Sequence, residues 1–275
     1  MTAWAGLIFR SNLIQQVKTQ SIGFNYIIIK QVAPEDKDSY KGRCDYDENL
    51  KKWVITLNAN DFFFFHDLRR ILFHEFAHIF NHIDKETGVL KKRISGDVWY
   101  GEFYASEIEM MSMLGFKHIN DERKITLKKK LVDKCYTKTL LQFLIDEQND
   151  KLTSVKYEQE LAKGITFDLV VSVVRAIMYQ RGKANFVKKY VDESEIDKIP
   201  TSEIFEDFAR NHFEDDDGKF ASLLDDINLH FTKPLHEIDE DYFNKTMSNM
   251  LYILLYCNVP EYKSQKHLLQ LKMRS

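Results

Sequence analysis

Three histidines and a glutamate punctuate twelve otherwise mostly apolar residues, ILFHEFAHIFNH, at positions 71–82. His74, Glu75 and His78 form an H-E-x-x-H pattern. On a helix, residues four apart lie one turn apart on the same face, so both imidazoles can reach a single ion. Zinc accepts imidazole nitrogen at ~2.0–2.1 Å, and a catalytic zinc site uses three protein ligands and keeps one position for water. Glu75, adjoining the first histidine, is placed to take a proton from that water, whose pKa the metal lowers toward ~7. With nine histidines in 275 residues, chance produces this pattern in roughly 2% of comparable chains. A glutamate in an apolar run is also rarely buried without a partner. The stretch therefore predicts a metal site with His74 and His78 as ligands and Glu75 as general base.

A third ligand must come from elsewhere. His82 lies eight residues from His74, ~12 Å along a regular helix, and is expected to pack or to support the site instead. Asp84 stands at the sixth position after His78, where a further histidine would extend the motif. Three acids then remain, Glu102, Glu107 and Glu109, on a helix expected from about Val98 to Phe116 with Ser95 or Asp97 as its cap. Tyr100, Tyr104 and His118 are within sequence reach as donors to a developing oxyanion.

The elements that must position these groups are of two textures. FNYIIIKQV (24–32) is rich in β-branched and aromatic residues and reads as a strand. GRCDYDENLKKWVITLN (42–58) reads as a hairpin turning at DENLKK. DFFFF (61–65), either core filling or the wall of a substrate groove, leads into DLRRILFHEFAHIFNHI, where apolar residues recur at helical spacing. Arg69 and Arg70, just before the motif, are expected at the solvated surface by default, with pairing to acids or contact with substrate as the alternative. From about residue 120 the segments ITLKKKLVDKCYTKTLLQFLIDEQ, VKYEQELAKGITFDLVVSVVRAIMYQ, SEIFEDFARNHF, KFASLLDDINLHF and YFNKTMSNMLYILLYC all favour helix. Lys128-Lys129-Lys130 reads as a solvated helical face, and DESEID and EDDDGK as acidic turns. The expected fold is α+β: an N-terminal part over 1–118 with a short sheet, the motif helix and a glutamate helix, followed by an all-α part over 119–275.

Composition narrows the function classes. Hydrophobic residues at 44% and charged residues at 29% are ordinary for a globular chain with ample core. A net charge of −3 argues against a dedicated nucleic-acid binder. Cys44, Cys135 and Cys257 lie far apart and read as reduced thiols. AWAGLIF near the start lacks a preceding basic segment, and MLYILLYC is too short for the ~20 residues of a membrane span. The expectation is a cytoplasmic protein without a membrane partner, with signal-independent secretion as the other route.

The order WVITLN, DLRRILFHEFAHIFNH, GEFYAS resembles the ImmA/IrrE family of H-E-x-x-H metallopeptidases over residues 42–106, about a quarter of the chain. More broadly the pattern is similar to that of glutamate-zincins, whose third ligand opens an E-x-x-A-[DNS]-like stretch on the next helix. Glu102-Phe103-Tyr104-Ala105-Ser106 matches it, with Ser106 where related patterns often place Asn or Asp. The resemblance implies Glu102 as third ligand, Zn2+ as cofactor, and a zinc-dependent endopeptidase acting on a protein. That substrate would be a bacterial or phage repressor, or a host protein if the chain is a secreted effector. The helical part over 119–275 would serve substrate recognition or regulation. The competing expectation is a non-catalytic zincin-like regulator or scaffold whose helical half binds a partner. Against it stands the intact Glu75, because a purely structural metal site has no use for a base there.

Overall fold

A computed structural model describes residues 27–32, 42–47, 49–50, 52–58, 65–81, 97–116, 122–133, 136–162 and 164–213. The expected helices KFASLLDDINLHF and YFNKTMSNMLYILLYC, the EDDDGK turn, His82 and His118 lie outside the described residues, as do Phe62, Phe63 and Phe64 of the DFFFF run.

Three strands form one sheet in the order β1-β3-β2: β1 (Ile27–Val32), β2 (Gly42–Asp47) and β3 (Lys52–Asn58). β1 runs parallel to β3, from Ile27 opposite Trp53 to Val32 opposite Asn58. β2 is antiparallel to β3, from Gly42 opposite Leu57 to Asp47 opposite Lys52, which is the hairpin expected from sequence. The turn is held locally: the Asp47 carboxylate accepts hydrogen bonds from the backbone N–H groups of Asn49 (2.9 Å) and Leu50 (3.0 Å). Flanked on both edges, β3 buries Trp53, Val54, Ile55 and Leu57 in near-continuous sequence.

Helix α1 (Phe65–Asn81) packs on this sheet, and α2 (Asp97–Met113) follows it. Ile71, Leu72 and Ile79 of α1 join Trp53, Ile55 and Leu57 in one apolar cluster. Phe73 and Ala77 turn instead into a second cluster with Ala105, Ile108 and Met111 of α2. α1 is thus apolar on two faces, and the motif residues occupy the seam between them. α2 ends with Gly115 at φ 72°, in the left-handed region that suits glycine. The N–H of Phe116 reaches the carbonyl of Met111 (3.0 Å) and that of Gly115 reaches Ser112 (3.2 Å), closing a Schellman motif.

The all-α expectation beyond residue 118 needs correction. ITLKKKLVDKCYTKT contributes a two-stranded antiparallel hairpin, β4 (Lys130–Asp133) and β5 (Tyr136–Thr139), and helix starts only at Leu140. Its Val, Tyr and Thr residues favour pleated backbone, whereas the leucine spacing suggested helix. The Lys128–Lys130 run accordingly leads into β4, whose first residue is Lys130, and the Lys129 ammonium donates to the carbonyl of Leu114 (3.0 Å) instead of lining a helix face. Beyond the hairpin come α3 (Leu140–Ala162), α4 (Phe167–Tyr190), the single turn α5 (Glu193–Ile196) and α6 (Glu203–His212). The side chains of Thr139 and Thr166 cap α3 and α4 by accepting from the N–H groups of Gln142 (3.1 Å) and Leu169 (3.2 Å). DESEID is therefore a short helix rather than a bare turn, and Glu195 within it accepts from the N–H of Leu127 (2.9 Å).

Two compact units arise. One comprises 1–93, 104–144 and 182–199, with the clusters around Ile55 and Ile108 as its cores. The other comprises 94–103, 145–181 and 200–275, centred on Val170, Val173, Val174, Ile177, Phe205 and Phe208. The described residues are thus helix-rich α+β, and no helix among them is long and apolar enough to cross a membrane.

Candidate metal centre

At ~100° per residue, side chains 70, 74 and 78 follow one another around α1 in ~40° steps. Arg70 and His74 therefore face the α2 side, and His78 and Glu75 come round toward the sheet. The imidazoles of His74 and His78 stand 4.9 Å apart, centroid to centroid, with planes crossed at 77°. Glu102 occupies the first turns of α2, a single continuous helix whose later turns pack against α1 through Ala105 and Ile108. One ligand atom each from His74, His78 and Glu102 lies within 4.8 Å of the others. Two atoms bound to one zinc at ~2.0–2.1 Å can stand no more than ~4.2 Å apart, so small side-chain adjustments close the set. Two imidazoles and a carboxylate are the donor types zinc takes, and the residues present fit the ion. His74 (7% exposed) and Glu102 (7%) are buried, and so is Glu75 (6%). Burying carboxylates calls for compensating positive charge; Arg175 stands 3.7 Å from Glu102, and a divalent cation would add more.

The other two acids of α2 are engaged elsewhere. Glu107 accepts from the side-chain amide of Asn185 and pairs with Lys189 (2.9 Å). Glu109 is buried and faces three basic groups: Nδ1 of His74 at 3.4 Å, Arg70 at 3.3 Å and Lys183 at 3.4 Å. Burial pushes its carboxyl up, but the charges of Lys183 and Arg70, with the hydrogen bond and charge of His74, outweigh burial and hold it far below the usual carboxylate range. An ionised Glu109 at Nδ1 favours the proton on that nitrogen and leaves Nε2 of His74 as the one with a free lone pair. Arg70 therefore follows the acid-pairing alternative rather than the solvated default: it is largely buried against Glu109. Ser106, one turn after Glu102, is fully buried, and its hydroxyl has no hydrogen-bond partner among the described residues. The side chain at Nδ1 of His74 is that of Glu109, not Ser106.

Two contributors escaped sequence reasoning. Lys183 is 3% exposed, although a lysine in a helix ordinarily reads as solvated. Gly42 lies against α1: a Cβ there would stand 2.5 Å from Ile71 Cγ2 and 2.9 Å from Glu75 Oε1. The absence of a side chain at the start of β2 is what leaves room for the Glu75 carboxylate. The only signal available was that the hairpin begins with glycine. Among the expected oxyanion donors, Tyr104 packs against the α2 core. Burial, aided by Glu107, pushes its phenol up to about 12.

Comparison with family models, curated proteins and solved structures returns no match for this chain.

Proposed function

We propose that the chain is a zinc-dependent endopeptidase of the glutamate-zincin type, acting on a protein substrate. The single observation behind this reading is the convergence of His74, His78 and Glu102 at one point, with Glu75 buried on the same helix. His74, His78 and Glu102 would hold the ion, which when bound polarises a peptide carbonyl and acidifies water. Glu75 takes a proton from the attacking water on its carboxylate and delivers it to the nitrogen of the leaving amine. Glu109 keeps His74 in the tautomer that offers Nε2, and the apolar residues on both faces of α1 limit water around the carboxylates.

The ImmA/IrrE resemblance favours a repressor as substrate, and a secreted effector would cut a host protein instead. The test supplies purified protein with zinc, incubates it with bacterial or host-cell extract, and maps newly formed N-termini by mass spectrometry. New termini that vanish with Glu75→Gln, while that variant keeps its zinc, are the expected result, and the extract that yields them separates the two substrate classes. Turnover retained by Glu75→Gln would reject the general-base role. Stoichiometric zinc without cleavage in any extract would favour the scaffold reading.

A further inference from the structure

α4 directs three cations at carboxylates of α2: Lys189 at Glu107, Lys183 at Glu109 and Arg175 at Glu102, and the last two differ in kind. Lys183 is 3% exposed and stands 3.4 Å from Glu109, enclosed together with Arg70 and His74. Arg175, about two turns earlier, has its Nε 3.7 Å from Glu102 Oε1, yet its side chain is 50% exposed. Its surroundings on the helix make that exposure notable, because Val173, Val174, Ala176, Ile177 and Met178 are all buried. A separation of 3.7 Å is an ionic contact beyond hydrogen-bonding reach, so no N–H of Arg175 is spent on Glu102. A permanently charged, planar group with five donors therefore stands at the solvent side of a residue from the metal cluster.

We infer that Arg175 is the anion-binding arm of the His74–His78–Glu102 site, donating to the carbonyl oxygen of the bound peptide as negative charge gathers there. The inference rests on the hydrolase reading above and gives α4 a direct part in it. A guanidinium suits this work because its charge does not depend on pH and its N–H groups spread toward a planar or tetrahedral oxyanion. Fixed donors of this kind contribute by facing charge that develops during reaction, and removing one typically lowers turnover ~100- to 1,000-fold. Tyr104, one of the two tyrosines considered for the task from sequence, packs against the core.

The alternative role for Arg175 is to balance the charge of Glu102, and metal affinity separates the two. The full-length protein is loaded with Co2+ as a coloured substitute for zinc and titrated with inorganic phosphate, an oxyanion probe, following visible absorption. Cobalt affinity is measured in parallel by chelator competition. Arg175→Gln is expected to weaken phosphate binding on the order of 10-fold or more, the value of one charge-assisted hydrogen bond, while cobalt affinity stays within about threefold. Arg175→Lys should recover part of the phosphate affinity, since it keeps the charge but not the fork, and it stands in if the glutamine variant does not fold. Unchanged phosphate affinity in both variants, or a wild type that takes up cobalt and ignores phosphate, overturns the inference and leaves the hydrolase reading standing. Parallel loss of cobalt and phosphate affinity assigns Arg175 to charge balance and also overturns it. A wild type that binds no cobalt overturns the metal-site reading itself and this inference with it.

Discussion

Glu75 and His74 are adjacent in sequence but are held by opposite surroundings. His74 is fixed from the α2 side, through Glu109 and the two cations that keep Glu109 ionised. Glu75 is fixed from the sheet side, where only a hydrogen atom at Gly42 separates β2 from its carboxylate. Each arrangement yields a residue-level prediction. Gly42→Ala forces a methyl group to 2.5 Å from Ile71 and 2.9 Å from Glu75 Oε1, so one of them must move. Overpacking of this kind costs about 1–3 kcal/mol. Activity is expected to fall further than stability, since the displaced group is the proposed base; urea denaturation beside turnover measures both, and equal turnover in the two proteins would contradict that proposal. Glu109→Gln removes the anion at Nδ1 of His74 and should weaken zinc binding ~10- to 100-fold. Chelator competition reads this directly, with circular dichroism to show that the fold persists.

At the scale of elements, one ionic knot ties the start of α6 to α4. Ser202 and Arg181 donate to Glu206 Oε1 at 2.6 and 2.5 Å, and Arg181 Nε also donates to Ser202 Oγ at 2.9 Å. Burial alone would push the Glu206 carboxyl up, but the hydrogen bonds from Ser202 and Arg181, and the charges of Arg181 and Arg210, outweigh it and hold the carboxyl below its ordinary 4.5. A carboxyl depressed in the folded state contributes stability above its unfolded value and loses it as pH falls through the folded one. Glu206→Gln is therefore expected to cost about 1–3 kcal/mol at pH 7, with a smaller cost below pH 4.5; denaturant titrations at several pH values check the trend, and a penalty independent of pH would refute it. None of this knot was legible in the sequence, because its partners are brought together by tertiary packing. The pattern of legibility elsewhere has the same cause. The β2–β3 hairpin, α1 and α2 could be read because their signals are local: alternation, turn residues and apolar spacing. His74 and His78 could be paired because one helix sets their separation, while Glu102 needed a family pattern to stand out from Glu107 and Glu109. The β4–β5 hairpin was missed because KLVD and YTKT are too short for alternation to outweigh leucine periodicity. Lys183 and Arg175 were invisible because nothing in a helical sequence marks which cation turns toward a carboxylate on another helix.

For the whole molecule, the ligand cluster joins side chains from α1 and α2, separated in sequence by at least the twenty-four residues from His78 to Glu102. The unfolded chain holds no such cluster, so under the proposed reading zinc would favour the folded state by mass action. At zinc about 100-fold above its dissociation constant the gain is about 2.7 kcal/mol. For a chain somewhat longer than 250 residues, at roughly 2–4 °C per kcal/mol, that raises Tm by about 5–10 °C. Chelator should reverse the shift. The variants sort the residues by proposed role: His78→Ala and Glu102→Gln should lose most of the zinc-dependent rise, whereas Glu75→Gln should keep it in full, because the proposed base lies outside the ligand cluster. Differential scanning calorimetry with and without zinc makes the comparison without any knowledge of substrate. A rise of equal size in Glu102→Gln and wild type would place the metal somewhere other than between these two helices, and the peptidase reading would fall with it.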